Sequence, residues 1–440
     1  MNHIKPLSPS TNISALTRRH LVLTGAAMAG AATVGFPPAF ALQNGNYGQD
    51  VPDLNAFAEN QLRAEKVPGL SAAVFNDKGI LWSRGYGLSD IENNIPMQPN
   101  RHQILGSITK TVTTTAVLKL VEKGALDLDA DISDYLPFIV RHPKYPEAII
   151  TLRQLITHTS SLLDGPNPGP YNTSYRTGEP PKDYVHFAQQ FYGVGEQRYE
   201  EDSGFFADWE PGEKYKYANV TWALVAKAIE TASGQPFTDY TTKEIFTPLG
   251  MANTAWTPTD LDESSQSRTY INFVDGAPAS KAWSTLLFDV DPKERLKGLP
   301  DGPYPFVKQY AFPSFADGGL WTTSHDIAKY GSAYLRAYHG RQADFLKKST
   351  VRQALSKQLS DRQYTEYRGI KAIGFTWRNY HAPAIGNKAV WGHTGGELGS
   401  RTVIKIIPQL KLGVVSLANI NEYREEAFAD VALQYFAKQL

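Results

Sequence analysis

Gly106-Ser107-Ile108-Thr109-Lys110-Thr111-Val112, running on through Lys119-Leu120-Val121-Glu122-Lys123-Gly124, is the stretch from which the fold is read. Apolar residues at Val112, Ala116, Val117, Leu120 and Val121 predict a helix from Ser107 to Lys123, closed by Gly124. Ser107 opens the helix and Lys110 follows three residues later, so the two share a face, roughly 5–6 Å apart between Cβ atoms. A serine hydroxyl is a poor nucleophile until a base takes its proton. A lysine can be that base when neutral, a state that burial or cationic neighbours favour. Unpaired N–H groups at a helix start also favour negative charge beside the serine. Taken alone, the pair reads equally well as a helix cap, with Ser107 as N-cap and Lys110 as a solvated charge. It is the only S-x-x-K in the chain.

The sequence on either side supplies the frame. Asp53 to Glu65 predicts a helix that Pro68-Gly69 breaks. Leu70 to Phe75 and Ile80 to Tyr86, joined by Asn76-Asp77-Lys78-Gly79, predict a hairpin. Short or amphipathic helices are predicted over residues 151–157, 220–232 and 326–338. Strands are predicted over residues 401–407 and 412–419, with a closing helix over 425–439. Strands at both ends and helices between them imply one α/β unit, about residues 50–105 and 330–440, interrupted by a mostly helical part over 106–329. Gly165 to Tyr199 and Arg268 to Phe312 show no clean period. The second carries Trp283, Phe288, Tyr304, Phe306, Tyr310 and Phe312, which argues against disorder and suggests a border to the substrate site that sets acyl preference. Packing on the helical part is the other reading of those aromatics.

Composition narrows the function. Lys+Arg and Asp+Glu are both 44, so the chain offers no charge excess for nucleic acid. With no cysteine, disulfides, thiol nucleophiles and zinc-thiolate sites are excluded. The 10 histidines are scattered, and neither a metal nor a cofactor is called for. Thr17-Arg18-Arg19, a mild apolar stretch from Leu21 to Phe36, and Ala39-Phe40-Ala41 follow the order of a twin-arginine signal peptide over residues 1–41. The expected destination is periplasmic or secreted, without membrane insertion of the mature chain. The expected partner is a small-molecule or peptide substrate.

Two further motifs follow the first. Trp209-Glu210-Pro211-Gly212 turns into Tyr217-Ala218-Asn219 at a helix start. A tyrosine hydroxyl near a lysine can pass a proton to a leaving group, and the Asn219 amide can bind a substrate carbonyl. Trp391-Gly392-His393-Thr394-Gly395-Gly396 is the only [His/Lys]-Thr-Gly, and its glycines let backbone approach a ligand. Packed and capping roles for Tyr217, Asn219 and His393 remain open from the residues alone.

The ordered set S-x-x-K, Y-x-N, H-T-G resembles the serine β-lactamase-related, penicillin-binding-protein-like family of class C β-lactamases, D-alanyl-D-alanine carboxypeptidases, esterases and D-aminopeptidases. Residues 124–137, residues 150–160, Pro248-Leu249-Gly250-Met251 and Asp317-Gly318-Gly319-Leu320-Trp321-Thr322-Thr323 extend the resemblance. It implies a β-lactamase/transpeptidase-like fold, α/β plus all-α, with an antiparallel sheet flanked by helices beside a helical domain. It also implies an acyl-enzyme on Ser107, with Lys110 and Tyr217 sharing proton transfer. The N–H groups of Ser107 and Gly396 would form the oxyanion hole; Asn219, His393, Thr394 and Gly395 would contact substrate. Class C β-lactamases carry lysine where His393 stands, so the pattern favours an ester or D-peptide substrate over a β-lactam and removes a permanent cation from that place. A β-lactamase, or a non-catalytic receptor of the same fold, are the alternatives.

Overall fold

The computed structural model describes residues 46–166, 170–177, 183–200, 204–274, 277–278, 302–305 and 310–440. The signal segment 1–41 and the aromatics Trp283, Phe288 and Phe306 lie outside the described residues.

Helix α1 (Pro52–Glu65) starts with proline and Asp53 in its first turn and ends where Lys66 turns left-handed at φ 54°. The hairpin follows as β1 (Gly69–Asn76) and β2 (Gly79–Asp90), with a short β3 (Ile95–Pro96). A single 3₁₀ turn, Gly106–Ile108, leads into α2 (Thr109–Glu122). The middle of the chain holds α3 (Leu152–Ile156), α4 (Tyr184–Tyr192) and α5 (Trp222–Ser233). A reciprocal capping box between Thr151 and Gln154 satisfies the first N–H groups of α3. Helix α6 (Ser324–Tyr338) is capped by the Thr323 side chain, which accepts from Asp326 N. The chain closes through β4 (Ile370–Ile373), β5 (Arg378–Tyr380), β6 (Val390–Glu397), β7 (Ser400–Ile407), β8 (Leu412–Ala418) and α7 (Glu425–Ala437).

These strands form one eight-stranded sheet in the order β4-β5-β6-β7-β8-β1-β2-β3, antiparallel throughout. Strand β1 from the start of the chain lies beside β8 from its end, in register from Leu70↔Ala418 to Asn76↔Leu412. Alternation then sorts the side chains. Ala73, Phe75, Val415 and Leu417 face the core shared with α6, α2 and α5; Leu70, Ala72, Val74 and Val414 face the core closed by α1 and α7. Phe75 lies between two glycines: a methyl added to Gly331 of α6 or to Gly413 of β8 would come within 2.3 or 2.4 Å of its ring. Glycine at both places lets α6 settle onto the sheet. This antiparallel sheet flanked by helices is the fold class that the resemblance implied.

Three segments differ from the sequence expectation. Gly165 to Tyr199 contains α4, whose buried Tyr184, Ala188, Phe191 and Tyr192 do carry a helical period. That period starts only after the Pro- and Gly-rich run before it. Arg268 to Phe312 contains strand Tyr270–Val274, paired with Gly302–Pro305, and strand Tyr310–Ala311, paired with Arg176–Thr177. Each is short and pairs with a segment distant in sequence, and the local pairing of Phe273 and Val274 with Pro278 and Ala277 spans only two residues, so little local pattern announces them. The His-Thr-Gly stretch, for which the sequence predicts no element, lies inside strand β6.

Candidate active site

The turn that carries Ser107 is clamped against the edge of β6. Gly106 has φ +60°, and a methyl there would lie 2.7 Å from Gly396 N. A methyl on Gly395 would lie 2.1 Å from Thr402 Oγ1 and 2.2 Å from the Leu105 carbonyl oxygen. Thr402 Oγ1 donates to that carbonyl at 2.6 Å, and Ser400 Oγ donates to Ile104 O at 2.7 Å. Two strands therefore fix the backbone immediately before Ser107, and glycine is required where they touch it.

Lys110 is 0% exposed and is held on three sides. Its Nζ donates to Ser107 Oγ at 3.0 Å, to Asn219 Oδ1 at 2.8 Å and to the Asp317 carbonyl at 2.9 Å. This geometry, with the serine partly exposed and the lysine buried beneath it, is not that of a helix cap with a solvated charge. Asn219 is braced in turn by Asp164, whose carboxylate accepts from Asn219 N at 2.6 Å, Val220 N at 2.8 Å and Asn219 Nδ2 at 2.9 Å. The amide expected to meet a substrate carbonyl thus has its oxygen on Lys110.

Tyr217 joins the group through its ring: Lys110 Nζ lies 5.0 Å from the ring centroid. The Tyr217 hydroxyl is buried and has no hydrogen-bond partner in the structure. His158, in the left-handed region at φ 57°, shapes this approach. Its carbonyl accepts from Lys216 N at 2.7 Å, its Nδ1 accepts from Ala218 N at 3.3 Å, and its ring lies 4.3 Å from that of Tyr217. His393 is 0% exposed, 6.4 Å from the Tyr217 ring between centroids. Burial first, then the charges of Arg378 and Lys110, hold its imidazole well below the ordinary histidine range, so it is neutral. Thr394 presents its hydroxyl to Arg378 Nη1 at 3.4 Å.

Arg378 is the residue that sequence reasoning missed. It sits on β5 opposite Gly392, with its guanidinium carbon 5.1 Å from the Tyr217 ring centroid. Arginine does not deprotonate in proteins, so the permanent cation inferred to be absent beside the third motif is supplied from the neighbouring strand. A lone arginine in a three-residue strand gives no sequence signal. Asp164 and His158 were equally invisible as site members, although His158 lies within a stretch that carried the resemblance. A second Y-x-N in the sequence, Tyr270-Ile271-Asn272, is elsewhere: the Tyr270 hydroxyl donates to Glu92 Oε2 at 2.9 Å.

The family model named Beta-lactamase matches residues 54–437. The chain belongs to the beta-lactamase family. Within that family it is 26% identical over 374 residues to the D-alanyl-D-alanine-carboxypeptidase/endopeptidase AmpH of Escherichia coli (strain K12), covering 83% of each chain. It is 23% identical over 412 residues to the human mitochondrial serine beta-lactamase-like protein LACTB, covering 78% of this chain and 69% of that one. Its fold is similar to an octameric penicillin-binding protein homologue from Pyrococcus abyssi, at TM-score 0.64 and 25% identity over 89% of this chain and 78% of that one. It is also similar in fold to the D-amino acid amidase of Ochrobactrum anthropi SV3, at TM-score 0.64 and 20% identity over 88% of this chain and 98% of that one. Among the described residues of this beta-lactamase-family chain, no helix is long and apolar enough to cross a membrane.

Proposed function

We propose that the chain is a serine hydrolase that cleaves an amide or ester through an acyl-enzyme on Ser107, of the D-amino-acid peptidase, carboxypeptidase or esterase type. The observation that carries this reading is the buried Lys110 Nζ 3.0 Å from Ser107 Oγ. As Oγ attacks a carbonyl, Lys110 in its amine form takes the hydroxyl proton. The C–O bond to serine forms, and the carbonyl electron pair moves to oxygen. The Ser107 and Gly396 N–H groups are the proposed donors to that oxyanion. Collapse expels the leaving group, which takes a proton passed from Lys110 by Tyr217, and water then releases the acyl group by the same steps in reverse order. His393, neutral and buried, does not serve as a charge. Arg378 is the proposed anchor for a carboxylate next to the scissile bond, the pattern of a peptide with a free C-terminus.

That same cation sustains a second reading, turnover of a β-lactam, whose ring also carries a carboxylate. One experiment separates the readings. Purified wild type and Ser107→Ala are treated with a fluorophosphonate probe and assayed on p-nitrophenyl acetate, D- and L-alanyl dipeptides and nitrocefin. Labelling of wild type alone is expected, with D-peptide or ester turnover exceeding nitrocefin turnover. Ser107→Ala should lose about 10⁴-fold or more in kcat. Equal turnover by the variant would remove the nucleophile assignment. Nitrocefin as the sole substrate would select the second reading, and a wild type that neither labels nor turns over would leave a ligand receptor of the same fold.

A further inference from the structure

Behind Lys110 lies a group of acids that the acyl-transfer scheme leaves unused. Asp317 ends the 3₁₀ turn Phe315–Asp317. Its carbonyl accepts from Lys110, and its carboxyl Oδ1 stands 3.9 Å from the same Nζ. Glu397 closes β6, one residue past Gly396, and its Oε1 lies so near Gly318 that a methyl there would come within 2.7 Å. Two hydroxyls join the acids. Tyr175 Oη is 2.9 Å from Glu397 Oε2 and 3.3 Å from Tyr171 Oη, and Tyr171 Oη is 3.5 Å from Asp317 Oδ1. A line of four buried side chains therefore runs from Glu397 to Lys110.

The line does not have the form of a settled ion pair. Asp317 is 0% exposed, its contact to Lys110 is 3.9 Å, and its Oδ2 is buried with no hydrogen-bond partner in the structure. A permanently charged buried carboxylate needs closer and more complete pairing. Burial is the main force on both acids. It pushes Asp317 up to about 7, against the pull of Lys110. It pushes Glu397 up to about 8, with the charge of Asp317 adding to the rise.

We propose that Asp317 and Glu397 are positioning residues acting through Lys110: joined by the Tyr171 and Tyr175 hydroxyls, they form a buried counter-charge that holds Lys110 as an ammonium when ionised and frees it to be the base of Ser107 when protonated. The protons balance without a further reactant. An ionised carboxyl beside an ammonium and a protonated carboxyl beside an amine contain the same number of protons, and only the second can accept the proton of Ser107.

Of the other groups facing this compartment, Tyr171, Tyr175, Tyr310, His158 and His393 keep one charge state, and Asp164 is a further buried acid coupled to Lys110. Tyr171, Tyr175 and Tyr310 are raised well above the ordinary tyrosine range, first of all by burial. His158 and His393 are held well below the histidine range, again first by burial, and stay neutral. Asp164 is raised by burial and held back by the N–H groups of Val220 and Asn219, which accompany its three hydrogen bonds. Arg378 is a fixed cation and Tyr217 completes the ring around Lys110.

The inference rests on the Ser107–Lys110 part of the proposed function and on no substrate class. Its test is the rate of fluorophosphonate labelling of Ser107 against pH, on the full chain, for wild type, Asp317→Asn and Glu397→Gln. Removing a carboxylate beside an ammonium favours the amine. The rising limb of the profile should therefore move to lower pH, by about 1 unit in Asp317→Asn and by less in Glu397→Gln. Thermal melts run alongside, because a purely structural role would lower the melting temperature and leave the limb in place. Should Asp317→Asn fail to fold, Glu397→Gln decides alone. Limbs that coincide with wild type, or that move to higher pH, overturn the counter-charge while leaving the nucleophile intact. A wild type that does not label at any pH overturns both.

Discussion

Arg378 alters the chemical reading more than any other single side chain. A histidine in the third motif suggests a site without a fixed cation there, yet the guanidinium reaches Thr394 Oγ1 at 3.4 Å from the next strand. The cation and the histidine also explain each other. His393 is buried beside both Arg378 and Lys110, so a third charge at that place would be repelled and poorly solvated. Hydrogen bonds to charged groups contribute about 1.5–3 kcal/mol. Arg378→Ala should accordingly raise KM roughly 10- to 100-fold for acyl donors with a carboxylate beside the scissile bond. It should leave kcat/KM for a neutral ester within about 3-fold. Steady-state kinetics on a carboxylate-bearing peptide and on p-nitrophenyl acetate provide the check. Equal losses on both would show that Arg378 supports Tyr217 and does not bind a carboxylate.

At the scale of elements, the active turn depends on how closely β6 approaches it. Gly395→Ala would force a methyl to within 2.1 Å of Thr402 Oγ1 and 2.2 Å of Leu105 O, so β6 must retreat from the turn that carries Ser107. Misplacement by about 1 Å can cost about 10²-fold in rate. We expect kcat to fall by about that factor, with a lowered melting temperature. Gly124→Ala, where an added methyl meets nothing within 4 Å, should spare kcat. Unchanged kcat in Gly395→Ala would show that the turn holds its shape without the strand. The same close approach explains what the sequence could and could not reveal. Strands β1, β2, β7 and β8 alternate or run apolar, and α2, α5 and α6 carry long helical periods, so they are legible locally. Strand β6 contains Gly392, Gly395 and Gly396, residues that disfavour strands, and so is not legible as a strand. Ser107 and Lys110 are three residues apart, and Tyr217 and Asn219 two, so their partnerships are visible as motifs. Asp317 meets Lys110, and Glu397 joins the line through Tyr175 and Tyr171, only because β6 and the turn before α6 converge there. No spacing in the chain encodes that convergence.

At the scale of the whole molecule, the site is assembled from both ends of the chain and its middle, and the sheet closes only when β1 reaches β8. Burying Asp317 and Glu397 is therefore a property of the complete fold, and unfolding returns both to water. This links folding to pH with a definite sign. Glu397 stands at about 8 in the fold against an ordinary value of 4.5, so between these limits the folded chain keeps a proton that the unfolded chain has released. Stability falls with rising pH wherever the folded state binds more protons. Asp317, at about 7 against 3.8, acts in the same direction over a lower window. Each pH unit of such a difference corresponds to about 1.4 kcal/mol for one group. The melting temperature of wild type should thus decline from pH 7 to pH 9, above the range in which the buried neutral His158 and His393 act in the opposite sense. Glu397→Gln carries no titrating group at that place, so its decline should be shallower, and the two curves should converge or cross toward high pH. Differential scanning calorimetry at unit steps of pH gives the comparison. Parallel curves for wild type and variant would mean that Glu397 enters the fold already ionised.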